Sequence, residues 1–218
     1  MTDETTPAPG PAPLTAVEAR ILGSLVEKEA TTPEAYPLTA NAVVLACNQK
    51  SNREPVLELE PGEVGHALRD LEGRGLVRSV HGARAQRYEH RMATAYSLTL
   101  PQQAVASVLL LRGPQTVAEL LARCERLATL RDLEEVRTVL ERLQQRGLAI
   151  NLGRGPGQRE DRYMHLLCGP VSPEDLPPAR APAAASDRST LEHRVAALEA
   201  EVSWLRAQVA RLLPDAAD

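Results

Sequence analysis

Two basic hairpins carry the residue types best suited to holding a polyanion. The first gathers Arg78, His81, Arg84, Arg87 and Arg91 against a single carboxylate, Glu89. The second offers Arg154, Arg159 and Arg162, partly offset by Glu160 and Asp161. A guanidinium presents forked N–H donors that match a phosphate, so arginines on a protruding hairpin suit a nucleic-acid backbone. The competing reading is an ordinary solvated hairpin. A polar stretch from Asn48 to Pro55 adds Lys50 and Arg53. These read either as a recognition surface for phosphate or an acidic partner, or as parts of a pinned loop whose Asn, Gln and Ser side chains satisfy backbone amides.

Other chemistry finds little footing. His90 and His165 hold equivalent places after two Arg-Tyr pairs, but no carboxylate or cysteine stands at ligand spacing, so they read as strand residues rather than a metal pair. The Gly153–Gly157 run precedes a strand-like segment and is a turn, not a phosphate loop. No nucleophile elbow is present, and no acid pair with a plausible cleft. The sequence therefore predicts a protein that is not an enzyme, with no catalytic residues, no metal and no cofactor.

The elements that must carry the hairpins occur twice. Thr15-Ala16-Val17-Glu18 is a capping box opening a helix with Val17, Ile21, Leu22 and Leu25 on one face. Leu38-Thr39 is expected to start a second helix carrying Val43, Val44 and Cys47. A third, 61–74, begins at Pro61 and buries Val64, Leu68 and Leu71. Arg74-Gly75-Leu76 then supplies a left-handed glycine and an apolar residue that stop it. Strand-like segments follow at 76–81 and 86–92. The second unit repeats the plan: a helix from about Pro101, a capping box at Thr116-Val117-Ala118-Glu119, a third helix over 131–146, and a second stop at Arg146-Gly147-Leu148. Its strand-like segments are 148–152 and 160–167, and Arg87-Tyr88-Glu89-His90 is echoed by Arg162-Tyr163-Met164-His165. Three helices and a hairpin, given twice, predict a mainly α fold with small β-wings (α+β): two tandem winged helix-turn-helix domains at 14–97 and 98–168. Their third helices are mixed in charge, with Glu63, His66, Arg69, Asp70 and Glu72 on one and Glu134, Glu135, Arg137, Glu141 and Arg142 on the other. Such carboxylates repel phosphate.

Around this body, residues 1–13 form a Pro-rich tail expected to be disordered, and 169–188 a Pro/Ala-rich linker. Then Leu191, Val195, Leu198, Val202, Leu205, Val209 and Leu212 alternate spacings of four and three. Val at a and Leu at d over 189–213 predict a parallel two-stranded coiled coil, hence a homodimer, with Arg194 facing Glu199 and Glu201 facing Arg206 across it. The alternative is an amphipathic helix packed on its own body.

Composition sets the outer limits. Over 218 residues, 43 % are hydrophobic and 25 % charged, aromatics are 2 % and Phe is absent, so the core must be aliphatic. The basic residues are arginines apart from Lys28 and Lys50, a pattern that GC-rich codons favour. A net charge of −4 gives no global attraction to DNA or to an anionic membrane. Three widely spaced cysteines without a C-x-x-C motif predict reduced thiols in a cytoplasmic protein. The acidic start, Met1-Thr2-Asp3-Glu4, predicts no signal peptide, and no apolar run reaches membrane-spanning length.

Long specific strings carry a family resemblance. They are Glu27-Lys28-Glu29-Ala30-Thr31-Thr32-Pro33, Tyr36-Pro37-Leu38, Asn41, and Ala46 through Pro55. Leu111-Arg112-Gly113-Pro114-Gln115-Thr116 and Arg159 through Leu166 extend the match. These segments resemble the bacterial YceH-like family over roughly residues 14 to 168. The resemblance implies tandem winged helices and brings no catalytic residues with it. Two functions remain in view: a DNA-associated, transcription-regulator-like dimer that lays its wings on double-stranded DNA, and a protein-interaction scaffold whose acidic third helices meet another protein.

Overall fold

Capping chemistry sets the helix starts. The computed structural model describes residues 12–81, 85–155 and 158–171, together with Val202. Arg84, most of the N-terminal tail and the linker, and the heptad segment apart from exposed Val202 lie outside the described residues. Helix α1 spans Ala16–Thr31, and at its start Thr15 and Glu18 close the reciprocal capping box read from the sequence. Pro61 opens α3 (Pro61–Gly73) after the N-cap Glu60, with Glu63 reaching back to the Glu60 amide. Between them, α2 covers Ala40–Cys47.

One local reading is corrected. Leu38-Thr39 does not begin α2; it forms a short strand, β1, and Thr39 acts as the α2 N-cap. Strands β2 (Val77–His81) and β3 (Gln86–His90) make the hairpin, and the antiparallel sheet runs β1-β3-β2. Leu38 lies opposite Tyr88, and Thr39 opposite Arg87. The extended run Leu38-Thr39 is thus long enough to pair and too short to announce itself as a strand.

After a four-residue helix, α4 (Met92–Ala95), the plan starts again. Helix α5 is Leu100–Arg112, α6 is Val117–Cys124 and α7 is Leu133–Gln145. The hairpin β4 (Ala149–Gly153) and β5 (Arg162–His165) follows. Gln115 stands where Leu38 stood, bridging to Tyr163. Thr116 then caps α6 as Thr39 caps α2. Both Arg-Gly-Leu stops form as expected. Gly75 and Gly147 have φ of 69° and 66°; Leu76 N–H donates to Leu71 C=O, and Leu148 N–H to Leu143 C=O, each at 2.9 Å.

The described chain is therefore mainly helical, seven α-helices with two small antiparallel sheets. The two repeats share one core. Every residue of α1 from Glu18 to Glu27 is buried, as is every residue of α5 from Gln102 to Leu111, because the two helices pack on each other. Gly23 lets them approach: a Cβ there would stand 2.9 Å from Leu111 Cγ and 3.2 Å from Leu110 Cβ. Ser107 Oγ donates to the Gly23 carbonyl at 3.1 Å across the same contact.

Candidate nucleic-acid interface

Each basic hairpin is tethered by the arginine of its Arg-Tyr pair. Arg87 Nη1 donates to the Pro37 carbonyl at 2.7 Å, and Arg162 Nη1 to the Pro114 carbonyl at 2.8 Å. The proline in each case precedes the strand position that pairs with the tyrosine. Arg162 also lies 3.4 Å from Glu119. So the echoed dipeptides are a repeated clamp between a hairpin and the entry to its second helix. Arg162 is half-buried and committed inside, whereas Arg87 stays exposed with one nitrogen spent.

The remaining hairpin cations are more available. Arg78 is exposed and paired to Glu89 at 2.6 Å; Arg154 is exposed and paired to Asp161 at 3.1 Å. Exposed ion pairs of this kind are worth little and open readily to a competing phosphate. Asn151 and Arg154 together hold the Asp161 carboxyl below its ordinary range. The side chains of exposed Arg159 and half-buried Arg91 make no hydrogen bond or ion pair among the described residues. Lys50 is exposed on the connecting loop.

Arg53 is different. Its side chain is 0 % exposed and forks onto Glu27, at 3.0 Å to Oε1 and 2.6 Å to Oε2. It also donates to the carbonyls of Ala46 and Asn52 and to Gln49 Oε1. No donor face is left for a phosphate, so the recognition reading of Arg53 gives way to the pinned-loop one. The rest of the loop agrees: the Asn48 amide exchanges two hydrogen bonds with the Leu59 backbone, at 2.9 and 2.8 Å. Glu54 N–H donates to the Leu111 carbonyl, which fastens the loop to the second repeat.

Sequence reasoning missed a matching pair of anchors in the two Arg-Gly-Leu stops. Arg74 binds Glu18 at 2.8 Å and the Ala12 carbonyl, three residues before the Thr15 cap. Arg146 binds the carbonyls of Ser97 and Tyr96, the latter three residues before the Thr99 cap of α5. Repetition of the tripeptide was the available signal. On the third helices, His66 lies 3.3 Å from Asp70 and Arg137 lies 3.5 Å from Glu134.

The two equivalent histidines end β3 and β5 and are both buried, at 9 % and 4 % exposure. His90 Nδ1 accepts from Met92 N–H, which leaves Nε2 to meet Glu29 at 2.8 Å. His165 has an unpartnered Nδ1, and burial pushes its pKa down to about 4. Its folded value lies below the unfolded one near 6.5, so the unfolded chain takes up the proton first. The stability this group confers is complete above pH 6.5 and is lost as pH falls from there towards 4, by about 3 kcal/mol in all. Urea midpoints at pH 7 and pH 4.5 test this: His165→Gln should flatten the pH dependence, and an unchanged slope would refute the assignment.

Burial also raises the thiols, Cys47 to about 11 and Cys124 to about 12, as expected for small core hydrophobes. Cys168 is exposed. Among the described residues no three His, Cys, Asp or Glu side chains form a metal-binding group, and no helix is long and apolar enough to cross a membrane.

Comparison with known proteins places similar chains in several bacteria. A family model described as "Protein of unknown function, DUF480" matches residues 14–158. A UPF0502 protein of Xanthomonas campestris is 56 % identical over 208 residues, spanning 93 % of this chain and 92 % of its own length. One from Pseudomonas paraeruginosa is 63 % identical over 155 residues, covering 71 % and 70 %. Another, from Stenotrophomonas maltophilia, is 54 % identical over 203 residues, covering 91 % and 94 %.

Proposed function

The chain belongs to the DUF480 family, shared with the UPF0502 proteins, and from that premise we propose that it is a non-enzymatic, cytoplasmic, DNA-associated protein of the YceH-like kind. Its two repeats are winged helix-turn-helix units, and a parallel coil over 189–213 joins two copies. The observation that carries the reading is the element order helix, short strand, helix, helix, hairpin, with the first sheet ordered β1-β3-β2, and its repetition as helix, helix, helix, hairpin with an isolated bridge at Gln115 where the short strand stood. In a winged helix the hairpin lies beside the duplex and touches its backbone. Arg78, Arg154 and Arg159 are exposed hairpin candidates, and Lys50, Arg87 and Arg91 are further candidates; Arg84 belongs by sequence to the hairpin of Arg78 and Arg87. Inferring DNA from fold is analogy, and the arginines are what give it chemical content.

Fluorescence anisotropy on a random-sequence duplex, titrated with salt, tests the reading. Binding should weaken steeply as salt rises, and each of Arg78→Ala, Arg154→Ala and Arg159→Ala should lower the slope of log K against log salt by about one. Absence of binding at low salt would refute it. The second reading, a protein scaffold, draws support from the exposed carboxylates Glu63, Asp70, Glu134 and Glu141 on α3 and α7, which disfavour a major-groove helix. It predicts no salt-dependent DNA binding and retention of a basic protein partner that Glu134→Lys/Glu141→Lys abolishes.

A further inference from the structure

A cleft of about 290 Å³ lies where the first repeat hands over to the second, between the end of α1, the end of β3, α4 and the start of α5. Glu29, His90, Arg91, Ala93, Thr94, Leu100 and Gln103 line it. Two opposite charges face this space without pairing: no Arg91–Glu29 ion pair forms. Glu29 receives His90 Nε2 on Oε2 and is half exposed, which leaves Oε1 to an incoming donor. Arg91 offers a guanidinium with no acceptor among the described residues. Gln103 is 5 % exposed, and its Oε1 is buried with no hydrogen-bond partner. A buried amide in that condition is costly, and a ligand donor that reached it would relieve that cost. At the rim, Leu100 is an aliphatic side chain 61 % exposed.

We propose that this cleft binds a free α-amino acid with an aliphatic side chain. The ligand's carboxylate meets Arg91, its ammonium meets Glu29 and the Gln103 amide, and its side chain covers Leu100. A molecule carrying both charges a short distance apart satisfies both walls at once, whereas an anion alone is repelled by Glu29 and a cation alone by Arg91. The cleft is at the small end for ligand sites, which suits a ligand of this size. His90 acts as a positioning residue, since its ring accepts from Met92 N–H at Nδ1 and meets Glu29 through Nε2. The proposal is independent of DNA binding.

The test is thermal unfolding and isothermal titration of the full chain with L-alanine, L-valine, L-leucine and L-methionine, each against its N-acetyl and carboxamide forms. At least one free amino acid should raise the Tm, and both capped forms of it should fail. Arg91→Gln and Glu29→Gln should each raise the Kd about tenfold or more, since each removes a charge-assisted contact. Glu29→Gln keeps an acceptor for His90, so its fold is protected. Gln103→Leu should raise the Tm of the ligand-free protein while weakening the response to ligand. No binding by any of the four, binding that survives either cap, affinity untouched in both charge variants, or a lower ligand-free Tm in Gln103→Leu would each overturn the proposal.

Discussion

Replacing Arg53 with alanine should cost about 3–5 kcal/mol, a fall in Tm of roughly 6–20 °C for a body of this size. The guanidinium is fully buried against Glu27, whose side chain is 11 % exposed, and five hydrogen bonds leave from it. Removing it leaves the Glu27 carboxylate in a water-poor site with Lys28 Nζ at 3.7 Å, and frees the carbonyls of Ala46 and Asn52. Most of the loss is therefore the cost of what remains, and the double variant Glu27→Ala/Arg53→Ala should be less damaged than the sum of the two singles. Arg53→Lys keeps the charge but cannot fork onto both carboxylate oxygens, so it should fall between. The same thermal melts decide between the two uses of this residue. An arginine reserved for phosphate would leave Tm unchanged on substitution and show itself only in binding.

What sequence could say about this molecule divides by range. Thr15 with Glu18, Thr116 with Glu119, Pro61 and the two Arg-Gly-Leu stops are local devices, decided within a few residues, and each forms where its sequence signal stands. The candidate arginines show the opposite case. Arg53 lies 26 residues from Glu27, and Arg87 lies 50 from the Pro37 carbonyl. Nothing in a run of basic residues separates one facing solvent from one folded inwards, so Arg53, Arg162 and Arg78 look alike until tertiary contacts part them. The Leu38-Thr39 strand fails for another reason: two residues carry no periodicity, and the cap at Thr39 attracts a helical reading one position early. The candidate cleft was invisible, since Glu29, Arg91 and Gln103 come from three elements with no shared motif. The heptads from Leu191 to Leu212 remain a sequence argument.

The packing of α1 on α5 was hidden in a subtler way, and it sets the second large prediction. Ile21, Leu22 and Leu25 belong to the shared hydrophobic core, and half-buried Val17 packs against it. The opposite side carries Ala19, Arg20, Gly23, Val26 and Glu27, a mixed run that resembles a solvent face. Yet these residues are buried too: α5 lies against Gly23, Arg20 is answered by the carbonyls of Cys47 and Pro55, and Glu27 by Arg53. Glycine at position 23 costs helix propensity of about 1 kcal/mol relative to alanine, so in an exposed helix its loss would stabilise. Here the expected sign reverses. Gly23→Val places a Cβ 2.9 Å from Leu111 Cγ and 3.2 Å from Leu110 Cβ, then adds two methyl groups where there is no room. Overpacking should cost about 3 kcal/mol or more, outweighing the propensity gain. Since the nearest obstacle is the Leu111 side chain, Leu111→Ala in the same chain should recover part of that loss although it is destabilising alone. Such a double-mutant cycle measures coupling between the repeats directly. Strict additivity of the two changes would mean that α1 and α5 do not meet at Gly23, and that the repeats are two domains in tandem rather than halves of one core.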